Sequence, residues 1–199
     1  MIRKFYYCIE LLNLWSMEKE KNWSTEKIVS FTAMLVSLTT VIIFIYQTNL
    51  LRQQNYISIL PYLIVSSTNN EAEYTFEINL ENQGVGPAII ESVEIFYKGV
   101  RYGLEDYDYR LFDVLSAIQP RMDSVRYFSS STLERGRALP ANTTYNLINV
   151  KNAPEDFFLL SNIFVNLLES GMTYRIVYKS ILNERWEIRI DSDGPQKLE

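Results

Sequence analysis

From Ile28 to Tyr46 the chain reads IVSFTAMLVSLTTVIIFIY, a run without one charged side chain. As a helix rising about 1.5 Å per residue it would be about 28 Å long, close to the hydrocarbon thickness of a bilayer. In lipid a backbone must satisfy its own hydrogen bonds, and within a single segment only a helix does so. The flanks agree with a span. Ser24 suits an N-cap, Glu26 the first turn, and Trp23 and Tyr46 the two interfaces. The expected division is an amphipathic or interfacial segment over 1–23, a transmembrane helix over 24–50, a linker over 51–58, a soluble domain over 59–193 and a tail over 194–199. A cleaved signal peptide fits poorly, because the apolar run begins late and no small-residue cleavage site follows it.

Inside the span Ser30, Ala33, Ser37 and Thr40 recur at three- and four-residue spacing and share one helical face. Small side chains let helices approach closely in lipid, so the face suits a homo-oligomer or a membrane protein partner. The plainer reading is that a membrane helix tolerates small polar residues. Ahead of the span Ile2, Phe5, Tyr6, Ile9 and Leu12 recur at helical spacing between Arg3, Lys4 and Glu10, as in a segment lying along a bilayer or docking on its own domain. Cys8, in that segment, is the only cysteine, which excludes an intramolecular disulfide.

Composition narrows the function. Lys and Arg number 19 against 24 Asp and Glu, a formal charge of −5, so the chain has no general attraction for a nucleic-acid backbone. It contains no histidine. That removes the commonest general base near neutral pH, the Ser/His and Cys/His nucleophile pairs and most transition-metal sites. A binding protein without cofactor or metal is expected, not an enzyme. The acidic group Glu105, Asp106, Asp108 and Asp113 reads as a helix start, and DSDG at 191–194 is only part of a calcium loop.

Beyond Arg52 the chain reads as strands. ILPYLIVSS suggests a first strand, and EYTFEINLEN alternates Tyr74, Phe76, Ile78 and Leu80 against polar neighbours. AIIESVEIFYKG alternates through Ile90, Val93, Ile95 and Tyr97, less cleanly at its start. The intervening ENQGVGPAII lacks the third glycine and following helix of a dinucleotide loop, and no Gly-Lys-Ser/Thr triplet is present. Gly84, Gly86 and Pro87 therefore predict a turn between strands. Near the C-terminus, GMTYRIVYKSILNERWEIRIDSD predicts a hairpin with a three-residue loop, opposing Leu182 with Trp186 and Tyr178 with Ile190. That register gathers Tyr174, Ile176, Trp186 and Ile188 on one face and Arg175, Lys179, Glu187 and Arg189 on the other. EDYDYRLFDVLSAI and APEDFFLLSNIFVNLLESG predict two helices.

The order of parts resembles a group of bacterial single-pass membrane proteins of uncharacterised function. In them a span and a polar stretch lead to a P-x-L-x-V strand and an L-x-N-x-G-x-G-P-A-x-I segment. Here these are Pro61, Leu63 and Val65, then Leu80, Asn82, Gly84, Gly86, Pro87, Ala88 and Ile90. The resemblance covers residues 28 to 100 and implies an immunoglobulin-like β-sandwich. The expected fold is thus mainly β, a transmembrane helix followed by such a sandwich with two helical insertions. The resemblance also implies a cytoplasmic domain, whereas Arg3, Lys4, Lys19, Lys21 and Lys27 before the span, against Arg52 after it, favour export by the positive-inside rule. The cytoplasmic side is the reading taken.

Two cationic groups are candidate sites for an anionic small molecule: Arg126, Arg135 and Arg137, near Ser129 to Thr132, and Arg175, Lys179 and Arg189 on the hairpin. The plainer reading of each is a solvated face. The coarse plan is similar to membrane effectors of bacterial defence that respond to nucleotide signals, which would imply ligand-driven clustering of the spans. The function expected is a membrane-anchored binding or sensing module responding to a ligand or protein partner. The alternative is a structural accessory subunit of a larger membrane complex.

Overall fold

A computed structural model of the chain describes residues 24–198. The interfacial segment expected over 1–23, with Cys8 and the cations Arg3, Lys4, Lys19 and Lys21, lies outside them, as does Glu199. The chain divides into two compact units between Gln53 and Gln54.

Helix α1, Thr25–Ile57, is 33 residues long, and none of its residues is buried. It is long and apolar enough to cross a membrane. The hydroxyls of Thr32, Ser37, Thr40 and Thr48 each donate to the carbonyl four residues back, at 2.7–2.9 Å, so none needs a partner outside the helix. The polar stretch over 51–58, expected as a linker, continues the helix to Ile57. It opens Leu-Arg-Gln-Gln, residues that favour helix, and the first breaker is Pro61.

The second unit is mostly β, built from two antiparallel sheets. The first has the order β1 (Leu63–Asn70), β2 (Thr75–Asn82), β7 (Thr143–Val150) and β5 (Ser129–Ser130). In the second, β10 (Gln196–Lys197), β9 (Arg185–Arg189), β8 (Thr173–Lys179), β3 (Ala88–Tyr97) and β4 (Val100–Gly103) follow one another, while β6 (Ala138–Leu139) also pairs with β3. Phe76, Ile78 and Leu80 from the first sheet and Ile90, Val93, Ile95, Ile176 and Ile188 from the second enter one buried cluster. Each such side chain contributes about 1.5–3 kcal/mol on leaving water. Tyr178, fully buried, lies between them, and the Leu63 N–H of β1 points at its hydroxyl, 3.5 Å away.

Helix α2 covers Leu111–Ile118 and α3 covers Pro154–Glu169. The helix expected from Glu105 is shorter than its apolar spacing suggests, because Asp108 and Tyr109 adopt φ of 48° and 58° and break it. The Tyr107 and Tyr109 N–H groups instead donate to the Leu104 carbonyl, at 3.0 and 2.9 Å. On α3, Asp156 reaches off the helix, its two carboxylate oxygens accepting the Arg126 and Tyr127 N–H groups at 3.0 and 2.8 Å.

The hairpin register differs from the expected one. Tyr178 pairs with Trp186, and Lys179 with Arg185, leaving Ser180 to Glu184 as a five-residue loop. The Ser180 N–H donates to the Glu184 carbonyl at 2.9 Å, its hydroxyl oxygen accepts the Leu182 and Glu184 N–H groups, and Asn183 takes φ of 63°. The slip is even-numbered, so every side chain keeps its expected face. In the tail expected over 194–199, Gln196 and Lys197 pair with Glu187 and Trp186, and the Leu198 N–H donates to the Arg185 carbonyl at 2.8 Å.

The glycine-containing turn holds the segment joining α1 to β1. The Gln83 N–H donates to the Tyr62 carbonyl at 2.8 Å, and the Val85 and Gly86 N–H groups both donate to that of Leu60. A Cβ on Gly84 would overlap the backbone of Leu60 to Tyr62, and one on Gly86 the backbone of Ile59. Asn82, 1% exposed, ties this knot to the rest of the domain. Its Oδ1 accepts the Gly84 and Tyr62 N–H groups at 3.0 and 3.2 Å, and its Nδ2 donates to the carbonyls of Gly86, Leu139 and Pro140 at 2.8, 3.0 and 3.1 Å. Asn82→Leu keeps the volume and orphans these buried groups. It should lower unfolding stability by at least about 3 kcal/mol, measured as a shift in the melting curve of the detergent-solubilised chain. A shift worth under about 1 kcal/mol would show that the knot is dispensable.

Candidate functional site

The outward face of the second sheet carries one of the two expected cation groups. Strand alternation sends Arg175 and Lys179 away from the core that holds Ile176 and Tyr178, and the β8–β9 register sets Arg175 directly opposite Arg189. Like charges in that position repel. Glu187, 5% exposed, resolves the conflict: one oxygen takes Arg175 Nε at 2.7 Å and the other Arg189 Nη2 at 2.9 Å. Glu94 takes Arg101 Nε at 2.7 Å and Arg175 Nη1 at 3.6 Å, while Glu91 takes Arg185 Nε at 2.6 Å and lies 4.0 Å from Lys179 Nζ. Glu187 and then Glu94 hold the Arg175 guanidinium above its ordinary value. The three cations expected to meet a ligand thus already hold carboxylates, and the face is a ladder of alternating sign.

Arg126, Arg135 and Arg137 have three different surroundings. Arg126 is exposed, in an open groove with Tyr127, Lys151 and the first residues of α3. Arg135 lines a separate hollow beside Glu91, Ser92, Glu105 and Tyr109. Arg137 lies over the Tyr145 ring, 5.3 Å from its centre, a cation–π contact. The hydroxyls of Ser37 and Thr40 in the expected association face of α1 are spent on the Ala33 and Val36 carbonyls, which leaves Ser30, Ala33, Ser37 and Thr40 a low-relief stripe.

The sequence gives no sign of the third feature. A cavity of about 200 Å³ lies in the two-sheet unit. Ile78 of the first sheet, Val93, Ile95 and Ile176 of the second, and Leu111 and Leu115 of α2 form its buried floor. At the rim Ser67 and Ile190 are exposed, and Phe164, Leu168 and Tyr174 are half-buried. No lining residue is charged. Burial pushes the Tyr174 phenol above its ordinary value, so it remains a neutral hydroxyl. These residues come from six elements scattered over the chain, and each alone reads as an ordinary core position.

The ion pairs make the unit sensitive to acid. Glu77 of β2 meets Lys151 Nζ at 2.7 Å, and that hydrogen bond holds its carboxyl below the usual value. The carboxyl of Glu105 is lowered likewise, by its own backbone N–H and then by Arg101, and that of Glu184 by Lys197. A lowered folded value gives stability that is complete above the unfolded carboxylate value of about 4.3 and is lost as pH falls through the folded one. The melting temperature should therefore be flat from neutral pH to about 5 and drop below about 4.3, with Lys151→Met flattening part of the drop. An unchanged acid limb in Lys151→Met would remove Glu77 from this account.

No protein-family model matches this chain, and comparison with curated proteins and with solved structures gave no match, so function is read from the geometry alone.

Proposed function

We propose that the chain is a membrane-anchored binding or sensing module. In this reading α1 holds an immunoglobulin-like β-sandwich, with α2 and α3 as helical insertions, at the cytoplasmic face of the bilayer. Packing of the Ser30, Ala33, Ser37 and Thr40 faces brings copies together, so that an occupied domain biases clustering of the spans. The observation that carries the reading is α1: the most apolar stretch of the chain is a helix with no buried residue. A soluble protein buries such a surface, and a bilayer is the solvent that accepts it.

The outward ladder on β3, β8 and β9 favours a protein partner over a free anion. Its cations are neutralised in place, and a fixed pattern of alternating charge selects a complementary surface. A second reading, recognition of an anionic small molecule, is supported by Arg126, whose side chain lies exposed in the groove at the start of α3.

After an alkaline carbonate wash the full chain should stay in the membrane pellet, and its release into the supernatant would overturn the anchor. Sidedness follows from Asp193→Cys in a Cys8→Ser background, since Asp193 is exposed. In intact cells an impermeant thiol reagent should leave this cysteine unlabelled and label it only after lysis. Labelling before lysis would place the domain outside.

A further inference from the structure

The outward face of the second sheet is charged and paired, but the interior of the unit is incompletely filled. We propose that the cavity between the sheets and α2 is a ligand site for a small uncharged hydrocarbon or aromatic group, a single ring or a short acyl segment. The entrance lies between Ser67, midway along β1, and Ile190 just beyond β9.

Size and chemistry both support this. A cavity of about 150 Å³ lined by Leu, Ile and Phe stays dry and accepts benzene, and this one is about 200 Å³. A water inside it would need two to four polar partners. The floor offers only hydrocarbon side chains, from Ile78, Val93, Ile95, Leu111, Leu115 and Ile176. The walls do not close readily by collapse. Val93 and Ile176 pair directly across the β3–β8 ladder, and Ile78 is pinned between Ser67 and Ile148 in the first sheet. Met172, also in the lining, is the adaptable side chain that adjusts to shape.

The rim adds polarity in the place a ligand would need it. Ser67 is exposed at the mouth and Tyr174 half-buried beside it, where a ligand with one polar end keeps that end near water while its apolar part is buried. The absence of any charged lining residue selects against an ionised group inside, since a desolvated charge without a partner is costly. Such a group has two sources, a free small molecule or the acyl chain of a lipid.

The test uses the full chain in phosphatidylcholine nanodiscs and a phenyl-diazirine probe, photolysed and mapped by peptide mass spectrometry. Adducts are expected in 111–115 and 164–176 as well as in the span 28–46. Val93→Phe and Leu115→Phe fill the cavity from different walls. Each should cut labelling of the domain segments about tenfold, equivalent to about 1.4 kcal/mol of lost affinity, and leave the span unchanged. Excess n-octanol should compete at the domain segments alone. The proposal fails if those segments label no more than other parts of the domain. It fails equally if either filled variant, melting as cooperatively as the parent, labels like the parent. A phosphatidylcholine carrying the diazirine on its acyl chain then separates the sources: adducts in 164–176 assign the site to lipid chains, and their absence alongside free-probe labelling assigns it to a small molecule. Labelling of 28–46 reports the anchor separately, so the site does not stand or fall with the membrane reading.

Discussion

In the second unit one side-chain amide, that of Asn82, joins three separate backbone segments. Asn82 reaches the turn after its own strand, the carbonyls around Leu139 and Pro140, and the backbone just ahead of β1. A carboxylate in its place would accept but not donate, and a leucine would do neither. Gly84 and Gly86 follow from the same need, since two backbones lie so close there that neither position has room for a Cβ. The cost of burying so many polar atoms is offset because almost each finds a partner, and a half-satisfied knot would be worse than an apolar one.

The same turn holds the segment that follows α1 in the chain. Ile59 to Tyr62, which it clasps, begin two residues beyond the end of α1. The chain is thus fixed by hydrogen bonds from two residues after the last residue of α1. Continuation of α1 through the polar stretch, rather than a flexible connection, is what makes that interval short.

Legibility in the sequence was uneven, for physical reasons. β2 was plain because Phe76, Ile78 and Leu80 all face the core. β3 was blurred at its start because a bulge between Ile90 and Ser92 shifts the alternation, so that Ile90 and Val93, three apart, are both buried. β7 went unread: TTYNLINV mixes asparagines with apolar residues, and its pairing with β2 shifts register beside Asn79, which is buried and accepts from Asn146 Nδ2 at 2.8 Å. The hairpin's faces were readable because parity alone sets them, while its loop was not, because Ser180 closes it by side-chain hydrogen bonds that no periodicity shows. Of the candidate sites, the charges on β8 and β9 were correctly placed on one face, but their neutralisation by Glu91 and Glu94 depends on β3, far away in the chain. The cavity was invisible for the opposite reason, since a void is a property of volumes summed over many elements.

Among the described residues β1 ends the first sheet, pairing only with β2, and so offers an open row of backbone donors and acceptors. Under the proposed bilayer anchor, neighbours would share a plane and meet in a limited set of orientations, which would raise the effective concentration of one strand edge for another. An apolar edge under that confinement would zip copies into ribbons. Beyond Val65 this strand is Ser-Ser-Thr-Asn-Asn, with Ser67, Thr68 and Asn69 facing solvent and Ser66 turned to Glu81 on the neighbouring strand. Water competes well for such an edge. If the proposed anchor crowds copies in two dimensions, such an edge would not turn that crowding into aggregation.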